Sequence, residues 1–236
     1  MQKVIEPSGG LRARLIEYLP AIVRAVPFAA YMVVLALSPL LGGGGEGPPP
    51  LWLYPAQVGL VGLLLLAFWL RYDELTGSWR NALRGSLWVL PVGSAVFVAW
   101  IFLDVPVLSL GLSPFQPPRD AAGELVLWWL LVRLAGAAIV VPLMEELFWR
   151  SFLMRWIVQA DFRAVIPAAV GLRAVLLSSL VFGVEHQLWF AGFVAGLAYA
   201  WLYMRSGNLW HAVIAHGVTN LLLGLWVIAT GNWQFW

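Results

Sequence analysis

The sequence predicts an all-α, polytopic transmembrane helical bundle of about seven helices, within a range of six to eight. Of the 236 residues, 61% are hydrophobic and 11% are charged, whereas a soluble domain is usually about 45–50% apolar and about 25% charged. A soluble fold of this size could not bury so much apolar surface, so we expect the surrounding solvent to be lipid. The 15 Trp residues fit a chain that crosses membrane–water interfaces.

The apolar segments fall at about 21–41, 51–70, 86–108, 124–157, 168–188, 189–204 and 208–230. A membrane span needs roughly 20 apolar residues, so the segment at 124–157 is expected to tilt or to extend beyond the bilayer. Residues 1–20 favour an amphipathic segment on the membrane surface, with a polar tail as the alternative. We therefore divide the chain into this segment, N-terminal transmembrane helices at 21–123 and a core at 124–230 that carries polar residues.

Basic residues are concentrated in alternate connections between the predicted spans. Three precede the first span and three follow the second, whereas the connections at 42–50 and 105–123 contain only Arg119. The positive-inside rule therefore predicts a cytoplasmic N-terminus. The net charge of +2 and the scattered arginines argue against a nucleic-acid partner, and the absence of Cys excludes disulfides, thiolate metal sites and a Cys nucleophile.

Charged side chains inside spans are costly and usually mark function. The first cluster contains Glu145, Glu146 and Arg150 on the long fourth segment. Glu146 and Arg150 are four residues apart and can pair on one helix face. Glu145 points about 100° away from that face and has no local counter-charge, which suits proton transfer. Two acids at a water boundary would give the same pattern, so this cluster alone leaves both interpretations open.

Two further clusters follow on later segments, with His186 predicted near the end of the fifth helix and with His216 and Asn220 on one face of the last. A lone membrane histidine is more often a helix–helix hydrogen-bond partner than a catalyst. At about 1.5 Å per residue, Glu145, His186, His216 and Asn220 lie about 12–20 Å from the predicted cytoplasmic helix ends. All four are therefore expected near the middle of a hydrocarbon core about 30 Å thick.

A carboxylate beside an imidazole can deprotonate a water molecule, and a histidine and an asparagine on a facing helix can donate to an oxyanion. Together they suit the attack of water on an amide carbonyl without a covalent intermediate. A zinc site formed by Glu145, His186 and His216 is the rival interpretation. The His-Glu-x-x-His motif that usually marks helix-borne zinc peptidases is absent, however. We therefore expect no cofactor.

Three motifs in order resemble the CAAX prenyl endopeptidase and bacteriocin-processing (CPBP) family of intramembrane glutamate proteases. They are Glu145-Glu146 with Arg150, Phe182 with His186, and His216 with Asn220. The resemblance covers about residues 124–225, and on overall layout it looks closer to the exosortase-associated bacterial branch. Ser151 departs from the family pattern, which more often has Gly there.

This resemblance implies an intramembrane glutamic endopeptidase in which Glu145 activates water and His186 helps to position it. It also implies that His216 and Asn220 form the oxyanion hole and that Glu146, Arg150 and Phe182 support them. The implied partner is a membrane-embedded or lipidated protein substrate in a lipid bilayer, and the implied location is a bacterial inner membrane. Two alternatives stay open, a non-catalytic scaffold, immunity or partner-binding member of the family and a small transporter.

Overall fold

The computed structural model describes residues 11–41, 50–76, 79–84, 87–111 and 115–236. It contains eight helices, α1 (Leu11–Leu41), α2 (Leu53–Ala67), α3 (Trp79–Arg84), α4 (Val89–Phe102), α5 (Leu127–Trp156), α6 (Leu172–Val184), α7 (Trp189–Ser206) and α8 (Leu209–Thr230). Within these ranges the only β-type pairing is an isolated bridge between Arg119 and Leu125. The prediction of an all-α bundle is confirmed.

Three of these helices, α1, α5 and α8, are long and apolar enough to cross a membrane. Helices α2, α4 and α6 are apolar but shorter, with 15, 14 and 13 residues. A 13-residue helix is only about 20 Å long, so α6 falls short of a hydrocarbon core about 30 Å thick. The chain is an integral membrane protein in which long spanning helices pack against shorter apolar ones.

Two predicted segments have different boundaries in the structure. Residues 1–10 of the predicted amphipathic segment lie outside the described residues, and from Leu11 the chain is already part of α1. The predicted helix at 168–188 is divided into a 3-10 turn at Pro167–Ala169 and α6, which ends at Val184. The chain then bends and begins α7 at Trp189, so His186 lies in the turn between two helices and not inside one.

Small residues bring α6 and α7 into close contact. A Cβ atom added to Gly183 would lie 2.5 Å from the backbone oxygen of Trp189, and one added to Gly196 would lie 2.9 Å from the Cβ of Ser179. Small residues allow such backbone approach in membrane helices, where lipid supplies no hydrophobic driving force. This packing fixes the position of the α6–α7 turn that carries His186.

A buried polar network joins the N-terminal helices to α5. The guanidinium of Arg24 on α1 donates to both carboxylate oxygens of Glu74, at 2.8 and 2.5 Å. The hydroxyl of Ser151 on α5 also donates to Glu74. Arg155 donates to the Ser151 hydroxyl at 2.7 Å. Ser151 therefore links α5 to the segment that follows α2.

Candidate active site

Helix α5 carries the first group of candidate residues between two irregular segments. Gly136–Val140 and Leu147–Leu153 are π-helical, and the regular stretch Val141–Glu146 lies between them. Single π-helical turns inside α-helices are frequent at functional sites. The side chains of Glu145 and Glu146 are both buried, so two adjacent carboxylates lie inside the bundle and not at a water boundary.

Asn220 completes the main-chain hydrogen bonding of the first π-helical segment. In such a segment the donor to the carbonyl of Ala137 would be the N–H of residue 142. That residue is Pro142, which has no N–H to donate. The side-chain amide of Asn220 on α8 donates to the Ala137 oxygen instead, at 2.8 Å. The amide nitrogen has two hydrogens, so one stays available.

His216 on α8 is held by the second carboxylate of α5. Its Nδ1 atom lies 2.9 Å from Glu146 Oε1, and the other oxygen of Glu146 lies 3.2 Å from Arg150 Nε. The ring of Tyr199 stacks on the imidazole with ring centroids 4.8 Å apart. Arg150, Glu146 and His216 therefore form a buried chain of charge and hydrogen bonding, and the predicted i,i+4 pairing of Glu146 with Arg150 is observed.

The same hydrogen bond determines the state of the other ring nitrogen of His216. An ionised Glu146 accepts from an Nδ1–H group, so a neutral His216 has its lone pair on Nε2. Nε2 lies 3.9 Å from the nearer oxygen of Glu145. His216 can donate a hydrogen bond from Nε2 only as imidazolium.

His186 is oriented by the end of α6. Its Nδ1 atom lies 2.8 Å from the carbonyl oxygen of Phe182, one of the last carbonyls of the helix, which have no intrahelical donor. If Nδ1 carries the hydrogen for this bond, Nε2 is the nitrogen that can accept a proton. The rings of Trp100 and Phe182 pack beside the imidazole with centroids 5.3 and 4.8 Å away. The guanidinium of Arg150 lies 4.2 Å from the centroid of the Phe182 ring.

A cavity of about 160 Å³ lies between these helices. One water molecule needs only about 10–15 Å³ by a comparable measure, so the cavity can hold several. It is lined by the four residues predicted to be catalytic and by ten others, namely Trp100, Ala137, Val141, Phe182, Ala195, Tyr199, Thr219, Leu223, Phe235 and Trp236. Glu145, His186, His216 and Asn220 thus face one space, although they come from three separate parts of the chain.

Glu185 was not among the predicted site residues. An oxygen of Glu145, an oxygen of Glu185 and a nitrogen of His186 lie within 4.8 Å of one another. Glu185 comes close to the cluster because α6 ends at Val184, which leaves Glu185 and His186 together in the turn that follows. Among the described residues, the group that could hold a metal ion consists of Glu145, Glu185 and His186. The zinc site considered from the sequence had His216 as a ligand in place of Glu185.

Comparison with known proteins gives one result. Residues 127–222 match the model of the family described as type II CAAX prenyl endopeptidase Rce1-like. The matched stretch begins at the first residue of α5 and ends in α8, so it contains Glu145, His186, His216 and Asn220. No curated protein and no solved structure matches the chain.

Proposed function

We propose that this chain, whose residues 127–222 match the model of the type II CAAX prenyl endopeptidase Rce1-like family, is an intramembrane endopeptidase that hydrolyses a peptide bond with water activated by Glu145. One observation carries the proposal. A cavity of about 160 Å³ is lined by Glu145, His186, His216 and Asn220, which come from α5, the α6–α7 turn and α8. This set supplies both a base for water and donors for an oxyanion.

Glu145 is the group that takes the proton from water. Its carboxylate is buried, and its Oε2 atom has no hydrogen-bond partner among the described residues. A nitrogen of His186 lies within 4.8 Å of a Glu145 oxygen, and one water with two hydrogen bonds of about 2.8 Å spans such a gap. As the water oxygen attacks the carbonyl carbon, its proton passes to Glu145, which then protonates the leaving nitrogen as the C–N bond breaks.

Asn220 and His216 stabilise the negative charge that develops on the carbonyl oxygen. The second hydrogen of the Asn220 amide is a fixed donor, because the first is held by the Ala137 carbonyl at 2.8 Å. Imidazolium His216 donates from Nε2, and Glu146 at 2.9 Å from Nδ1 compensates its positive charge. Donors that are already oriented before the reaction cost no reorganisation in the transition state.

The substrate is a membrane-embedded or lipidated protein, since the cavity lies within a bundle of apolar helices. We place the enzyme in a bacterial inner membrane because its motifs resemble the bacterial branch of the CPBP family. The distribution of Arg and Lys between connections supports a cytoplasmic N-terminus. Hydrolysis by water and carboxylate needs no metal in this proposal.

The direct test is Glu145→Gln in the full-length protein reconstituted in liposomes. The substitution keeps the shape of the side chain and removes its basic oxygen, so we expect cleavage to fall by about 10²–10⁴-fold. The readout is mass spectrometry of peptide fragments from membranes that contain the wild type, the variant or neither. Glu124→Gln is the matched control, because Glu124 is exposed before α5 begins. Equal cleavage by wild type and Glu145→Gln, above that of membranes with neither, would mean that Glu145 is not the base. Identical fragments in all three membranes would favour a non-catalytic protein.

A further inference from the structure

A second charged residue lies on the face of α5 that borders the cavity. Ala137, Val141 and Glu145 line the cavity at intervals of four residues, and Arg133 precedes Ala137 by four. Trp236 also lines the cavity, and its ring centroid is 5.4 Å from the guanidinium carbon of Arg133. Arg133 is not itself a lining residue, and it therefore lies beside the cavity at the end opposite to Glu145.

Aromatic rings surround the guanidinium of Arg133 on several sides. The ring centroids of Tyr54, Phe115 and Trp129 lie 4.9, 4.6 and 5.5 Å from its central carbon. Aromatic faces attract a cation, but they accept none of the five N–H hydrogen bonds in the plane of the guanidinium. Its Nε atom is buried and has no hydrogen-bond acceptor among the described residues.

Arg133 differs from the buried arginines Arg24, Arg150 and Arg155, because each of those has a carboxylate partner. Arg24 and Arg155 each lie within 4.0 Å of an oxygen of Glu74, and Arg150 lies 3.2 Å from Glu146. Within the described parts of the chain, no carboxylate lies within 4.0 Å of Arg133. The side chain is half-buried and not fully enclosed. Among the described residues, Arg133 is thus an oriented cation beside the cavity with no anion paired to it.

We propose that Arg133 and the rings around it form a substrate subsite that binds a carboxylate of the bound peptide. This inference rests on the proposed peptidase function and names a feature of its substrate. Arginine suits the role because its planar fork matches a carboxylate with two parallel hydrogen bonds. A lipid phosphate could make the same bonds, but the i,i+4 register with Glu145 and the shared Trp236 favour a ligand that also occupies the cavity.

The spacing along α5 indicates where that carboxylate lies in the substrate. Twelve residues separate Arg133 from Glu145, which corresponds to about 18 Å along a helix. An extended peptide covers about 3.3–3.6 Å per residue, so about five residues bridge the two sites. We therefore expect a C-terminal carboxylate or an acidic side chain about five residues from the cleaved bond.

Binding can be measured without cleavage in full-length protein that carries Glu145→Gln. The probes are two dansyl-labelled decapeptides of alternating Leu and Ala, one ending in a free carboxylate and the other in an uncharged amide. We expect the carboxylate probe to bind at least tenfold more tightly, as measured by dansyl fluorescence in detergent micelles. Adding Arg133→Gln should remove this preference, and Arg133→Lys should retain part of it. Arg205→Gln, at an exposed arginine near the end of α7, is the matched control and should leave the preference unchanged.

The proposal of a carboxylate subsite would be overturned if both probes bind equally or neither binds. It would also be overturned if a folded Arg133→Gln protein keeps the full preference, or if Arg205→Gln loses it. Arg133-dependent binding to phosphatidylglycerol vesicles, without binding of the probes, would show a lipid phosphate site instead. The peptidase proposal fails separately. If the probes are discriminated but the wild type cleaves no membrane protein, the carboxylate site stands and the catalytic assignment falls.

Discussion

The carboxylate of Glu146 lies 2.9 Å from Nδ1 of His216 and joins α5 to α8. The same carboxylate lies 3.2 Å from Arg150 Nε, so it faces one permanent cation and one imidazole. Sequence spacing anticipated the Arg150 contact but not the contact with His216, which is 70 residues away. Glu146 is therefore a positioning residue that orients His216, in addition to pairing with Arg150.

Glu146→Gln tests this positioning role. Glutamine keeps the size of the side chain but removes the carboxylate that accepts from Nδ1–H of His216. We expect kcat to fall by at least about 10²-fold with a smaller change in KM, because the lost interaction is realised in the transition state. The ¹⁵N chemical shifts of His216 should report a changed tautomer or protonation state, a signature that a purely structural role would not produce. Unchanged shifts together with wild-type kcat would contradict the assignment, and Glu124→Gln again serves as the control.

Gly183→Ala tests whether the α6–α7 contact positions His186. A Cβ atom at this position would lie 2.5 Å from the Trp189 oxygen and 2.8 Å from the Phe193 nitrogen, both backbone atoms. The helices must separate to accept it, at a cost of about 1–3 kcal/mol, and His186 three residues later must move with them. We expect a lower melting temperature and at least tenfold slower cleavage.

Gly62→Ala is the matched control, since a Cβ atom there meets nothing within 4 Å. Alanine is also the better helix former by about 1 kcal/mol, so Gly62→Ala should be neutral or slightly stabilising. If the two variants behave alike in stability and cleavage, the close approach at Gly183 does not control the site.

Local spacing explains why part of the site could be predicted from sequence. Glu146 with Arg150 is an i,i+4 pair, and depth along a helix placed Glu145, His216 and Asn220 at one level, since helical rise is nearly constant. These inferences need only the geometry of single helices. The structure brings the three side chains to one cavity, although their catalytic roles remain predictions.

Other contacts depend on where a helix ends or on partners far apart in sequence. Glu185 reaches the cluster because α6 stops at Val184, a boundary that an apolar pattern does not mark. The contact of Arg24 with Glu74 spans 50 residues, and that of Arg133 with Trp236 spans more. Residue spacing along one helix carries no information about such pairings.

Chelation tests the rival metal mechanism. Glu145, Glu185 and His186 each offer a ligand atom within 4.8 Å of the others, and two carboxylates with one histidine are acceptable zinc ligands. Because water activation by Glu145 needs no metal, we expect EDTA and 1,10-phenanthroline to leave cleavage unchanged. Loss of activity that zinc restores, with Glu185→Gln lowering zinc affinity, would instead establish a metal centre.

The buried network around Glu74 makes a prediction about stability and pH. Glu74 lies outside the membrane-spanning helices. Burial raises its pKa, but the hydrogen bonds and charge of Arg24, together with the Ser151 hydroxyl, outweigh burial and hold the pKa below its ordinary value of 4.5. A carboxyl group whose pKa is depressed on folding stabilises the fold above its unfolded pKa, and it loses that contribution as pH falls through the folded value. Glu74→Gln should therefore destabilise the protein at pH 7, by about 3–5 kcal/mol for a broken buried ion pair.

The measurement is thermal unfolding of wild type and Glu74→Gln in detergent between pH 7 and pH 3, followed by tryptophan fluorescence. The difference between the two proteins should be full at pH 7, begin to shrink below about pH 4.5 and continue to shrink as the folded carboxylate is protonated. Glu124→Gln should show no such dependence, because that side chain is exposed. A difference that stays constant across this range would mean that Glu74 stabilises the fold by packing and not by its charge, and the link between α1 and α5 would then be a steric one.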